Sequence, residues 1–123
     1  MAIANPEHAP YGRAAMAALQ HERLYDTVRG KLVLGENISQ AAQFAQSGNA
    51  DAGILALSLA LLPALRDAGT TYRLPDAFYP SIAQAAVVLA ASRQKAAARQ
   101  FLAFVKRPEI GRLMQEYGFA IKN

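Results

Sequence analysis

Asn5-Pro6-Glu7-His8-Ala9-Pro10-Tyr11-Gly12-Arg13 joins a short apolar run, Met1–Ala4, to an alanine-rich run, Arg13–Gln20. Two prolines and a glycine mark the junction, so the order is strand, tight turn, helix start. Pro10 suits the first helical position, where an N–H is expendable. Gly12 lets a ligand approach the backbone closely. The first turn of a helix carries N–H groups without intrahelical partners and a partial positive charge, which suits an anion. Such junctions occur throughout α/β proteins, so the rest of the chain must decide whether this one holds a ligand.

Downstream, the pattern repeats. Lys31–Gly35 reads as a short buried strand. Asn37 is a good N-cap, and Gln40 three residues on completes a capping box for a helix over Ser39–Gln46. Gly48-Asn49 stops that helix. Leu24 and Tyr25 are expected to pack beneath the first helix. Asp51–Ala56 is a third apolar strand, followed by a Leu59–Leu65 helix that Pro63 interrupts. Thr70–Leu74 is β-prone, Pro75–Pro80 is a proline-aromatic loop, and Ala83–Ala90 reads as a buried strand. Two amphipathic helices close the chain. Gln94–Val105 carries Ala97, Phe101, Phe104 and Val105 on one face; the helix that Pro108 starts carries Ile110, Leu113, Met114 and Tyr117, with Gly118 as its C-cap. The alternation of strand and helix predicts an α/β architecture with a mixed sheet.

Composition narrows the classes. At 123 residues the chain is one domain or part of one, and 53% hydrophobic against 18% charged residues is a globular balance. No apolar run reaches the roughly 18 residues that a membrane span needs. The absence of cysteine excludes disulfides and thiolate metal sites. No signal peptide precedes Ala2, so a cytosolic chain or an internal piece of a longer one is expected. Seven of the 13 basic residues lie between Arg93 and Lys122, but without the density or the interleaved aromatics that nucleic acid asks for, so no nucleic-acid partner is expected.

No catalytic constellation is present. His8 and His21 lack carboxylates at metal-ligand spacing, and His8 reads as a solvated or turn-stabilising residue. Ser39 or Ser58 with His8 and Asp51 would make a nucleophilic set, but no Gly-x-Ser-x-Gly elbow supports it, and no P-loop or Gly-x-Gly-x-x-Gly occurs. What remains is two helix starts, near Tyr11 and near Ile38, each directly after a strand. In an open α/β sheet such starts gather along one edge, where two of them can hold a small dianion with neutral N–H donors.

Ala2–Ala15 closely resembles the central segment of periplasmic molybdate-binding proteins of ABC importers. Lys31–Ile38, Gly48–Gly53, Tyr79–Gln84 and Glu116–Phe119 match the same family in the same order, so the resemblance covers essentially the whole chain. It implies a type II periplasmic-binding-protein fold, two α/β lobes joined by hinge strands, with molybdate or tungstate bound between them by backbone N–H groups and hydroxyls. It implies no enzymatic activity, no cofactor, a periplasmic location and a membrane permease as partner. By motif, Tyr11 matches the donor at the second lobe's first helix start and Ile38 the apolar residue whose backbone N–H donates from the next. Pro10, Gly12 and Asn37 complete those two starts. Ala56 stands where some members carry a tyrosine donor, and the Tyr11 hydroxyl is the expected compensation.

The family's first-lobe serine loops have no counterpart here. The expectation is therefore a half-receptor: residues 1–92 as the second lobe with its hinge strands, and 93–123 as the C-terminal helical segment that returns to the first lobe. The apolar faces of that segment predict a homo-oligomer or domain-swapped dimer. Losing two or three charge-assisted hydrogen bonds, each about 1.5–3 kcal/mol, predicts weak oxyanion binding. The rival readings are a self-associating structural module without oxyanion binding and a cytosolic anion sensor.

Overall fold

The computed structural model describes residues 1–121; Lys122, the last of the basic run, lies outside the described residues. The chain forms two compact units, Met1–Ile82 and the segment from Ala83 onward.

The first unit is built on a small parallel sheet. Strand β1 (Ala2–Ala4) pairs with β2 (Val33–Gly35) in the register Ala2↔Val33, Ile3↔Leu34, Ala4↔Gly35. On the other side of β1, Ala2 forms a single parallel bridge to Gly53, with Ala2 N–H donating to the Ala52 carbonyl at 2.7 Å and Ile54 N–H to the Ala2 carbonyl at 3.0 Å. β1 is thus the middle of the array, and all three of its residues are buried. Helix α1 (Pro10–His21) packs on β1, and α3 (Ile38–Gln46) packs on both strands. Between them lie the single turn α2 (Tyr25–Val28) and a 3-10 turn, Arg29–Lys31.

Alanine dominates the core: Ala2, Ala4, Ala14, Ala15, Ala18, Ala41 and Ala42 are all buried, and Ile3 is the largest fully buried side chain. Small side chains let helix and strand backbones approach closely, and two glycines take this further. A Cβ on Gly12 would collide with the Ala4 carbonyl oxygen and stand 2.8 Å from its carbon. On Gly35 it would meet the Ala41 nitrogen at 2.7 Å.

The helix ends follow their local chemistry. Pro10 is the first residue of α1, and Pro63 opens a new short helix. The expected Leu59–Leu65 helix is therefore two turns, α4 (Leu57–Ala60) and α5 (Pro63–Arg66). Gly48 ends α3 with φ +78°. α1 ends without a glycine: Arg23 takes φ +58°, its N–H donating to Gln20 and Leu24 N–H to Leu19.

Several sequence expectations change here. Leu24 is exposed, because the reversal at Arg23 turns it outward. Leu34 is half exposed, as β2 is an edge strand with one open face. Asp51–Ala56 makes one bridge instead of a strand; Gly53 lies at its centre, where glycine weakens pairing. Thr70–Leu74 is irregular, with Tyr72 exposed. The turn Asp76–Phe78 lies against α1, and the Phe78 ring stacks on His21 at 4.4 Å.

In the second unit, Ala83–Ala90 is not a strand: it is irregular, with Val87 and Leu89 exposed. An apolar run becomes a buried strand only where a ladder partner and a cover exist, and it has no strand partner among the described residues. Helices α6 (Lys95–Val105) and α7 (Pro108–Glu116) form as expected and contact each other. Gly118, φ +83°, closes α7, its N–H donating to Gln115 and Phe119 N–H to Met114, a full Schellman motif. The aromatic face predicted as a stripe is open: Phe101 is 62% exposed and Phe104 44%.

Candidate functional site

Both parallel strands end at the same edge, at Ala4 and Gly35, and each runs directly into the approach to a helix. The ladder continues one step, with Asn5 N–H donating to the Gly35 carbonyl at 2.7 Å. Asn5 then organises its own loop. Its side-chain oxygen accepts Glu7 N–H at 3.0 Å and its carbonyl accepts Ala9 N–H at 2.9 Å. Ala9 caps α1, and the first hydrogen bond reaching forward into the helix is Arg13 N–H to the Ala9 carbonyl. Pro10, Tyr11 and Gly12 form the first turn, exposed, half-buried and buried respectively. The missing side chain of Gly12 serves the close approach of α1 to Ala4, where the sequence pattern pointed to the approach of a ligand.

The second junction is fixed more tightly. Asn37 Oδ1 accepts Gln40 N–H at 2.9 Å, and Gln40 Oε1 reaches back to accept Glu36 N–H at 2.7 Å. This is the predicted reciprocal cap, shifted by one residue at its return bond. Ala41 N–H donates to the Asn37 carbonyl, which leaves the Ile38 and Ser39 N–H groups outside the helix's own ladder. Ile38 is half-buried and Asn37 exposed.

Ala56 stands at a third, shorter junction. It follows the Gly53 bridge, caps α4, and is buried with only a methyl group to offer. The parallel register thus brings the starts of α1 and α3 to one edge of the sheet, and the parallel Ala2↔Gly53 bridge leads into the Ala56 segment from the other side of β1.

One residue acts in a way the sequence did not reveal. His8, read as a solvated or turn-stabilising side chain, spans the two loops: its Nε2 lies 3.0 Å from the Glu36 carbonyl oxygen. A spacing of 28 residues carries no local pattern, so only the parallel register could have exposed this contact.

The ionisable side chains that flank the two junctions, Glu7, His8, Arg13 and Glu36, are all exposed. Among the described residues no polar or charged side chain is buried, and no cluster of histidines and carboxylates could hold a metal ion. Farther along the first unit, the Arg66–Asp67 hydrogen bond holds the guanidinium above and the carboxyl below its ordinary value.

Comparison with known proteins gives a consistent result. The family model for bacterial extracellular solute-binding proteins matches residues 1–120. The molybdate-binding protein ModA of Rhodobacter capsulatus is 40% identical over 119 residues, which is 97% of this chain and 46% of that protein. ModA of Azotobacter vinelandii is 34% identical over 122 residues, 99% of this chain and 48% of the relative. The solved structure of the Azotobacter vinelandii periplasmic molybdate-binding protein superposes with a TM-score of 0.89 at 31% identity, covering 99% of this chain and 54% of that one. The chain therefore spans about half the length of the curated relatives it matches.

Proposed function

The chain belongs to the bacterial extracellular solute-binding protein family, and from that premise we propose that it serves an ABC importer by capturing molybdate or tungstate. The observation that carries this reading is the Ala4↔Gly35 register, which sets the starts of α1 and α3 side by side at the C-terminal edge of the strands. Ligands of open α/β sheets bind at that edge, and helix starts favour anions. In this proposal the tetrahedral oxyanion accepts hydrogen bonds from the first turns of the two helices, through Tyr11 and Gly12 on one side and Ile38 on the other. Pro10 and Asn37 shape those turns, and Ala56 borders the site without contributing a donor.

Neutral donors fit an ion that is selected by size. Molybdate and tungstate share charge and nearly share dimensions, so the site treats them alike, and excluding the smaller sulfate takes a cavity enclosed on both sides. Donors from one side of the ion leave its far side hydrated. Each absent charge-assisted hydrogen bond forgoes about 1.5–3 kcal/mol, so binding by this chain is weak. The relatives named molybdate-binding, one of them periplasmic, support a periplasmic location and a membrane permease as partner. We extend the proposal to the expected division of the chain, residues 1–92 for the ligand lobe and 93–123 for the C-terminal helices.

Calorimetric titration with sodium molybdate, with sulfate as control, tests the reading. Saturable heat with molybdate, exceeding that with sulfate, is the expected result, and no heat from folded protein overturns it. A second reading, self-association as the chain's main property, is favoured by the open Phe101 and Phe104 faces; oligomers without a molybdate response would select it.

A further inference from the structure

The loops before α1 and α3 are tied together by one side chain. His8 Nε2 stands 3.0 Å from the Glu36 carbonyl oxygen. A carbonyl only accepts, so Nε2 is the donor. Both ends of this tie are anchored. On the His8 side, Asn5 fixes the loop through Glu7 N–H and Ala9 N–H. On the other, Glu36 is held at both of its backbone groups, its N–H by Gln40 Oε1 at 2.7 Å and its carbonyl by His8. Asn37, the cap of α3, follows immediately, and Ile38 comes one residue later.

We propose that His8 is a positioning residue for the oxyanion site: its ring sets the spacing between the first turns of α1 and α3, and so decides whether donors from both converge on one ion. The ligand in this proposal rests on the oxyanion reading above; the strap itself does not. The Glu36 carboxylate is a minor partner. Its Oε2 lies 3.5 Å from Nε2, with the two side chains 50% and 79% exposed, and exposed pairs of this kind contribute little. The backbone carbonyl is the acceptor that matters, and no substitution of Glu36 removes it.

The full chain carrying H8A, H8Q or E36Q separates these contributions. Each variant is titrated with sodium molybdate, and amide exchange is followed by NMR at Asn5 and Gln40, whose N–H groups bond on either side of the strap. H8A is expected to weaken molybdate binding by about 3- to 10-fold, the value of one ordinary hydrogen bond, and to speed exchange at both amides. H8Q, which keeps an N–H donor at similar reach, restores most of the affinity, and E36Q binds as tightly as the parent or more so. Parent-like binding by H8A, or a loss in E36Q equal to that in H8A, overturns the proposal. If the parent chain gives no heat with molybdate, the oxyanion reading fails on its own account. The strap is then judged by exchange alone, and unchanged protection in H8A overturns it.

Discussion

Gly12 lies so close to Ala4 that a Cβ on the glycine would sit 2.8 Å from the Ala4 carbonyl carbon and inside contact distance of its oxygen. Backbone atoms of a buried central strand cannot retreat. Gly12→Ala is therefore expected to cost about 3 kcal/mol or more, at the upper end of overpacking effects. Gly30 is the control, since a methyl group added there would meet nothing within 4 Å. Gly30→Ala is expected to be neutral or mildly stabilising. Thermal melts followed by circular dichroism compare the two, and equal effects would refute the packing account.

The Asn37 cap offers a way to part stability from binding. Asn37→Ala removes the acceptor for Gln40 N–H and is expected to lose about 1 kcal/mol of stability. Asn37→Asp keeps the acceptor, so the melting temperature should hold. Its added negative charge lies beside Ile38, so molybdate binding should weaken while stability does not. Equal molybdate affinity in the Asp variant and the parent would place the ion elsewhere.

Arg23 occupies a left-handed conformation at φ +58°, where a Cβ is strained. Its neighbours make the two hydrogen bonds of a Schellman ending, Arg23 N–H to Gln20 and Leu24 N–H to Leu19. Glycine relieves the strain but loses more chain entropy on folding. The net expectation for Arg23→Gly is a gain of up to about 1 kcal/mol, read as a higher melting temperature; a fall would mean that the arginine side chain stabilises the turn.

Tyr79 should respond to alkali. Burial, with the Asp76 carboxylate 3.2 Å from its hydroxyl, holds the Tyr79 phenol above the ordinary tyrosine value. A raised value in the folded state means that this group's contribution is complete below the unfolded tyrosine value, about 10. It is then lost as pH climbs through the folded value. Phenolate absorbance should contain a late component that Tyr79→Phe abolishes, and a titration unchanged by that substitution would contradict the assignment.

Ala97, Phe101 and Phe104 lie at helical spacing on α6, while Ala98, Leu102 and Val105 form a separate half-buried stripe. Open aromatics of this kind favour association. Light scattering is expected to show mass rising with concentration, and Phe101→Ser with Phe104→Ser is expected to reduce it. A monomeric mass throughout would defeat the oligomer proposal.

The features legible in the sequence were those set by neighbours a few residues apart. Pro10 and Pro63 open helices, Gly48 and Gly118 close them, and Asn37 with Gln40 makes a cap, all from local geometry. The two helix starts of the candidate site were found for the same reason. Features set by distant partners were not legible. Lys31–Gly35 and Ala83–Ala90 have the composition of buried strands, but composition does not say what lies alongside: Leu34 is half exposed and Ala83–Ala90 is largely open. The role of Gly12 toward Ala4 and the reach of His8 to Glu36 both depend on the parallel register, which no short pattern encodes.

The central place of β1 has a consequence for synthesis. The strand leaves the ribosome long before its partners, since β2 begins at Val33 and the bridge residue is Gly53. At translation rates of roughly 5–20 residues per second, the wait for Gly53 lasts roughly 2–10 s. Over that interval the side of β1 that bridges Gly53 lacks this partner, although β2 emerges earlier and pairs along the other side. The array around β1 is therefore completed in two steps during synthesis, first along β2 and then along the Gly53 segment.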